Sequence, residues 1–352
     1  MIERPVFILG AAAATAFGTT LRANCDALFA GRTAFACPRH FDAKGRVLGI
    51  DPELDNGPGG SRSERLLLKL RDAVDFTIPM GTHLFAATTV GAIDRLEAGE
   101  TVDTAREFLH TAERVFGCDG GTLVSAACAS GQTAVALAMR QLRQGAIRRA
   151  LVVGGDVASE FVTSGFAALG ALSHSVCRPY DAGRDGLTLG EGAAALLLGC
   201  DGPGIGMIAG AAETCDAAHI TSPDLSGRML AAACRAALGD TVPSGVIGHG
   251  TGTIYNDQSE VAALHTLFPS GMPPLFSLKG NYGHTLGATG VLQIALGLEF
   301  SRNRQLPPQV GLVSPMEHAN TAAAPRTLDG GRLLSLNVGF GGLNSAVVLE
   351  AL

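Results

Sequence analysis

A cysteine, two histidines and a lysine stand in settings that suit chemistry. Cys128 lies in the stretch 122–144, TLVSAACASGQTAVALAMRQLRQ, where an apolar approach through Leu123 and Val124 runs into small residues on both sides of the thiol. Ala134, Val135, Ala138, Met139 and Leu142 then recur at helical spacing, so the stretch predicts a strand, a tight elbow carrying the cysteine, and a helix. A thiol at that elbow sees the positive end of the helix dipole, which favours thiolate, and the small neighbours leave room for a substrate to reach it. His249 follows a short apolar run in GHGTGTIYND, and His284 sits in SLKGNYGHTLGATG with Lys279 five residues before it. The run NVGFGGLN at 337–344 is a Gly-rich strand end that can bring backbone N–H groups close to a ligand. Taken singly, a free cysteine is commonly an inert packing residue and a histidine a satisfied structural one. Both histidines in Gly/Thr-rich turns, together with the cysteine elbow, make a candidate site.

The elements that must position these groups alternate between strand and helix. A first buried strand is predicted over 5–10 and a helix over 19–29, with Gly-, Pro- and Asp-rich loops over 31–60. Ser61-Arg62-Ser63-Glu64 has capping-box spacing and opens a helix whose apolar side is Leu66, Leu67, Leu70 and Val74. The cations around it, Arg62, Arg65, Lys69 and Arg71, are either a solvated face or a docking patch for an acidic protein. A strand over 85–90, a short helix over 91–100 and an amphipathic helix over 101–116 lead to the elbow, and the apolar run ALVVGG at 150–155 closes a βαβ unit. Arg140, Arg143, Arg148 and Arg149 at the end of its helix read as structural, since cations there suit the dipole. The stretch CRPYDAGRDGLTLGEGAAALLLG at 177–199 joins a turn-rich loop to a small-residue run that ends in a strand, and the loop holds Asp181, Arg184, Asp185 and Glu191, which must pair with each other or with backbone if buried. It reads as a buttress for the elbow. Beyond Asp201, strands over 205–212 and 246–248, helices over 227–238, 259–268 and 287–300, and a closing hairpin of 333–338 with 346–349 follow the same order of types. No sequence repeat is visible, so a division at 1–200 and 201–352 is an architectural expectation.

Composition bounds the class. With 47% hydrophobic and 16% charged residues, and 47 glycines among 352 residues, the chain suits a tightly turned α/β enzyme and excludes disorder. A net charge of −6 gives no global attraction to nucleic acid or membrane. The first residues, MIERPVFILGAAAATAF, mix charge and glycine into the apolar run, so neither a signal peptide nor a membrane helix is expected. Eight scattered cysteines without a CxxC pair read as reduced cytoplasmic thiols, with neither a disulfide framework nor a metal site. The dinucleotide fingerprint GxGxxG, the P-loop GxxxxGK[ST] and the hydrolase elbow GxSxG are all absent.

The ordered segments AACASG, RPYDAGRDGLTLGEGA, ETCDAAHITSPD, HGTGTIYND, SLKGNYGHTLGATG and NVGFGGLN resemble the β-ketoacyl-acyl carrier protein synthases of the thiolase-fold condensing enzymes. The similarity runs over most of the chain and is to the Cys-His-His elongating type. It implies an α/β thiolase-like fold, with two similar halves, each a mixed five-stranded sheet, in a five-layer αβαβα stack that is usually dimeric. By the same resemblance Cys128 is the nucleophile, and His249 and His284 are neutral N–H donors to the malonyl thioester carbonyl. Lys279 is the site lysine, Phe340 is a gate, and the backbone N–H groups of Cys128 and Phe340 form an oxyanion hole. Thr251 and Thr253 hold the phosphopantetheine arm of an acyl carrier protein, and Arg62, Arg65 and Lys69 fall where relatives meet that carrier. No cofactor is expected to stay bound; substrates arrive on the carrier. The partners implied are the carrier and either a second copy or another ketosynthase-like subunit.

Three positions depart from the family pattern: Gln293 where an acidic residue is usual, Leu343 where Thr is common, and Gly248 where a slightly larger residue is common. The segment between the first helix and Cys128 is also shorter than usual. The function implied is decarboxylative Claisen condensation in fatty-acid or specialised polyketide or polyene synthesis. The alternative is a non-condensing, chain-length-factor-like subunit of a heterodimer; such subunits typically lack the cysteine. A thiolase working on coenzyme A esters would carry a second cysteine near the C-terminus, and none follows Cys234.

Overall fold

The computed structural model describes residues 4–352. Ten strands make one hydrogen-bonded sheet: β1 Val6–Ala14, β2 His83–Ala87, β3 Gly121–Val124, β4 Arg149–Asp156, β5 Gly192–Gly199, β6 Gly206–Cys215, β7 Gly245–Ile247, β8 Leu275–Phe276, β9 Leu333–Gly339 and β10 Leu343–Ala351. Eight helices pack on it: α1 Leu21–Phe29, α2 Arg62–Ala73, α3 Thr104–Phe116, α4 Ser130–Gln144, α5 Glu160–Ala168, α6 Arg228–Leu238, α7 Ile254–Leu267 and α8 Thr289–Asn303.

The strand order is β3-β2-β4-β5-β1 in one half and β8-β7-β9-β10-β6 in the other. Each half reads third, second, fourth, fifth, first strand, and the pairings match as well. β1·β5 and β5·β4 are antiparallel while β4·β2 and β2·β3 are parallel. β6·β10 and β10·β9 are likewise antiparallel, while β9·β7 and β7·β8 are parallel. The internal similarity expected from element order is therefore present strand for strand. The two five-stranded halves are joined edge to edge, because β1 and β6 pair antiparallel over Val6–Ile8 and Gly206–Ile208.

The layers follow from which faces are apolar. β5 is buried along its whole length, and its alternate residues feed two different cores. Ala193 and Ala195 pack with α2 and α3 residues such as Leu66, Leu70, Phe108 and Ala112 on one side. Ala194, Leu196 and Leu198 meet α4 and α8 on the other, beside Val347 and Leu349 of β10. The second half is covered outside by α6 and α7 through Leu230, Cys234, Val261 and Leu264. The order of layers is thus helix, sheet, helix, sheet, helix, with α4 and α8 in the middle. α8 is buried on all sides except its last turn, so truncating a central residue such as Leu296 to Ala would cost about 2–5 kcal/mol.

Most boundaries match the sequence expectations to within a few residues. α7 begins at Ile254, well before the expected 259, because Thr253 and the following turn already belong to the site. Helix α5 was not expected, since its apolar residues, Phe161 and Phe166 among them, lie partly on the surface and show no clean stripe.

Candidate active site

Cys128 sits between β3 and α4, one residue before the helix cap. The elbow is forced: Ala127 takes a left-handed φ of 49°, which costs a non-glycine residue roughly 1–2 kcal/mol. Three contacts hold it there. Thr89 Oγ1 donates to the Ala127 carbonyl at 3.0 Å, Ser130 Oγ donates to the same carbonyl at 2.6 Å, and Ala126 N–H donates to Ser130 Oγ at 2.9 Å. The loop that carries Thr89 is tied in turn by buried Asp156 at the end of β4. Its carboxylate accepts from Thr88 Oγ1 at 2.6 Å, from Thr89 N–H at 2.9 Å and from Gly287 N–H at 2.7 Å, and burial raises its pKa to about 6. Nothing in the sequence pattern singled out Asp156; its one signal is an acid directly after a buried strand.

His249 and His284 face each other with ring centroids 5.3 Å apart and ring planes nearly perpendicular. Hydrogen bonds fix the proton of each ring. Leu286 N–H donates to His284 Nδ1 at 3.3 Å, so the ring proton lies on Nε2. Lys279 Nζ approaches His249 Nδ1 at 3.3 Å, and an ammonium can only donate, so His249 also carries its proton on Nε2. Burial pushes both histidines well below their usual 6.5, and Lys279 adds to the effect, so both rings are neutral donors near pH 7.

The backbone around each histidine is equally constrained. The Gly248–His249 peptide is gripped at both ends: Glu260 Oε1 accepts its N–H at 2.6 Å, and Gln293 Nε2 donates to its carbonyl at 2.8 Å. Glu260 Oε2 also accepts from Gly250 N–H, and Asp257 Oδ1 accepts from Thr251 N–H at 2.9 Å. Asp257 and Glu260 were missed in the sequence, although their spacing of three on α7 puts both on one helix face toward the turn. Gly248 departs from the family for a visible reason. A Cβ there would lie 2.5 Å from Glu260 Oε1 and overlap the Tyr180 hydroxyl. His284 is pinned by the loop before β5: its N–H donates to Thr188 O at 2.7 Å, and its carbonyl accepts from Gly190 N–H at 3.0 Å. That loop's charges are paired, as expected, with Asp181 on the Val313 and Ser314 N–H groups and Asp185 on Ser173 Oγ. The histidine turn, and not the cysteine elbow, is what the loop supports.

The expectation of a thiolate at the elbow is not met. Burial raises the Cys128 thiol to about 12, against the lowering pull of Lys279, because losing water outweighs the attraction of a nearby cation. Burial likewise lowers Lys279 to about 8, even though Glu260 and Asp257 favour its charged form. The resting site is accordingly a thiol, two neutral imidazoles and one ammonium.

Cys128, His249 and His284 open onto one cavity of about 280 Å³. Cys128, His249 and His284 form its floor; Thr251 and Thr253, with hydroxyls 2.8 Å apart, line one wall, and Phe340 stands at the side against Phe166 at 5.6 Å between ring centroids. Lys279 lies behind the histidines, fully buried. Among the described residues no group of three or more His, Cys, Asp or Glu is placed to hold a metal ion.

The three cations expected at a docking patch are not free to dock. Arg62 is buried and binds Glu191 through Nε at 2.8 Å, Asp55 at 2.6 Å and the Asp51 carbonyl at 3.0 Å. Lys69 bonds Asp51 at 2.5 Å, Glu53 at 2.6 Å and the Thr15 carbonyl. Arg65 turns back onto the Leu54 carbonyl at 2.8 Å. Their sequence spacing on α2 is that of a surface stripe, but the 50–60 loop folds over it and supplies acids and carbonyls.

Two family models match the chain: the N-terminal domain of β-ketoacyl synthases over residues 111–200 and the C-terminal domain over 205–313, together more than half of its length. The chain belongs to the β-ketoacyl synthase family. Among curated relatives, 3-oxoacyl-[acyl-carrier-protein] synthase 2 of Staphylococcus aureus is 31% identical over 258 residues, which are 66% of this chain and 63% of that protein. Among solved structures, a β-ketoacyl synthase from Burkholderia phymatum is 24% identical with a TM-score of 0.83, covering 99% of this chain and all of that one. A ketosynthase in complex with its chain length factor from Xenorhabdus doucetiae is 23% identical with a TM-score of 0.85, over 99% of this chain and 98% of that one. The β-ketoacyl synthase fold thus extends over nearly the whole chain, beyond the stretch matched in sequence.

Proposed function

We propose that the chain is a β-ketoacyl-acyl carrier protein synthase that extends an acyl group by decarboxylative condensation with a malonyl thioester. The observation that carries this is the floor of the cavity, where a thiol faces two neutral imidazoles whose tautomers both place N–H on Nε2. In the first step the Cys128 sulfur bonds to the acyl carbon, the carrier thioester C–S bond breaks, and the thiol proton passes to the departing carrier thiolate. In the second step the malonyl carboxylate leaves as CO2, and its electron pair becomes an enolate whose oxygen accepts from the Nε2–H groups of His249 and His284. The enolate carbon then attacks the acyl carbonyl. The resulting oxyanion is held by the backbone N–H groups of Cys128 and Phe340, and Cys128 departs as a thiolate that takes a proton from water. Neutral donors suit this step, because an imidazolium would hold the carboxylate instead of favouring its loss.

Thr251 and Thr253 offer hydroxyls to the phosphopantetheine arm, and Phe340, 39% exposed at the side of the cavity, is placed to act as a gate. Lys279 sets the charge behind the histidines. The two halves, 1–200 and 201–352, divide the work: the first brings the nucleophile and the second both histidines. The reading also includes an acyl carrier protein as partner and a dimeric assembly, with a second copy or a ketosynthase-like companion; the similar Xenorhabdus ketosynthase, solved in complex with its chain length factor, supports the companion. A cytoplasmic setting fits the eight free thiols. No helix among the described residues is long and apolar enough to cross a membrane.

The test is intact-protein mass after incubation with acyl carrier proteins of graded chain length, with Cys128→Ala alongside. An acyl-sized gain that disappears in the variant is expected. Acylation that persists in Cys128→Ala overturns the assignment of the nucleophile, and failure to load any chain, even with a companion synthase added, overturns the condensing reading.

A further inference from the structure

Gln293 is fully buried in the middle of α8, and its side-chain amide meets the nucleophile helix, β9 and the turn that carries His249. Nε2 donates to Gly248 O at 2.8 Å. Oε1 accepts from Asn337 Nδ2, from Ser335 Oγ at 3.2 Å and, more distantly, from Gln132 Nε2 at 3.4 Å. Gln132 is four residues beyond Cys128 on the nucleophile helix and also donates to Ser335 Oγ at 2.7 Å, while Asn337 lies three residues before Phe340 on β9. One amide therefore joins α4, α8, β9 and the turn after β7.

An amide satisfies these contacts at any pH. Gly248 O can only accept, and Asn337 Nδ2 can only donate, so the group between them must donate at one end and accept at the other, which a carboxyl group does only when protonated. The bond to Gly248 O falls on the same peptide whose N–H is held by Glu260 Oε1. Gln293 and Glu260 thus clamp the His249 peptide from opposite sides, and Lys279 bonds the next carbonyl, that of His249 itself. By contrast His284 is held by Thr188, Gly190, Leu286 and the Thr289 hydroxyl at the start of α8, none of which bonds the Gln293 side chain.

Resting on the condensing reading above, we infer that Gln293 is a positioning residue for His249, acting through the Gly248–His249 peptide, and that its neutral amide is what the position requires. It serves the malonyl step and not acyl loading. Gln293→Met keeps the volume and removes all four hydrogen bonds; Gln293→Glu keeps the acceptor but, once ionised, turns an oxygen toward Gly248 O. Two readouts are made on full-length protein whose fold is checked by thermal melting. The first is the 15N spectrum of histidine-labelled protein, with His249 and His284 assigned by replacing each with Gln. The expected result is a displaced or broadened His249 signal in both variants with His284 unchanged. The second is the pair of half-reactions, where malonyl-carrier decarboxylation should fall about tenfold, as for loss of one buried hydrogen bond, while Cys128 acylation followed by mass stays within about threefold of wild type. An unchanged His249 signal in either folded variant, or an equal loss of both half-reactions, overturns the inference. If wild-type protein neither loads acyl groups nor decarboxylates malonyl carrier, the condensing reading fails, and the histidine spectra still decide whether Gln293 holds His249.

Discussion

Around Arg62 the chain buries full charges and pairs them; around Cys128 it buries groups that could be charged and keeps most of them neutral. Both clusters draw residues from distant parts of the sequence. In the first, Arg62 forks onto Glu191 and Asp55 while Lys69 closes on Asp51 and Glu53, so charges taken out of water are repaid by geometry. In the second, burial drives the thiol up and both imidazoles down, and Lys279 is the one ammonium, already lowered to about 8. A cavity opens on the second cluster and none of its floor groups is matched by an opposite charge across it. The lesson is that a buried, fully paired ion network ties segments together, whereas a buried set of poised neutral groups facing open space is ready to act on something that enters it.

The contrast breaks most visibly at Arg62. Arg62→Ala leaves Glu191 buried without its cation and should destabilise the fold by about 3–5 kcal/mol, read as a lower denaturant midpoint. The surviving folded fraction should still acylate Cys128 at the wild-type rate; a selective loss of carrier affinity without destabilisation would return Arg62 to a docking role. His284→Ala should do the reverse. Malonyl-carrier decarboxylation should fall roughly 10²- to 10³-fold, the scale of losing one preorganised donor to a developing oxyanion, with the denaturant midpoint close to wild type. If His284→Ala unfolds the protein as Arg62→Ala does, the two clusters are not different in kind.

The smallest effect sharpens the comparison through pH. A histidine whose folded pKa is depressed contributes stability above its unfolded value, about 6.5, and loses it as pH falls below that. Thermal midpoints should therefore decline between pH 7 and 5.5, and His284→Ala should flatten part of that decline. Glu260, raised to about 7 by burial, works in the opposite sense, contributing stability at low pH that is lost as pH rises through 7, so the difference between wild type and variant is the quantity to measure. An identical slope in both would show that His284 is not buried neutral. Arg62 itself has no part in this window, because arginine does not titrate there.

The catalytic candidates were legible because small residues, glycines and threonines around Cys128, His249 and His284 leave a chemical trace that survives without coordinates. Helices were legible for the same local reason, since apolar spacing in α4 records which face is buried. The docking patch was misread because helical spacing shows that Arg62, Arg65 and Lys69 share a side of α2 but not what lies over it. Asp156, Asp257 and Glu260 were passed over because a single acid after a strand, or a pair at a spacing of three, is common wherever helices meet solvent.

The sequence by itself determined the residue types at the elbow and the histidine turns, the alternation of strand and helix, and the neutrality of Gln293. Tertiary structure alone decided the ionisation states, since burial depth and the approach of Lys279 depend on elements more than a hundred residues apart. It also decided that the Gly248–His249 peptide is held from two sides, and that Arg62 of α2 is buried on Glu191. Charge and hydrogen bonding are properties of surroundings, and a chain acquires its surroundings only when it folds.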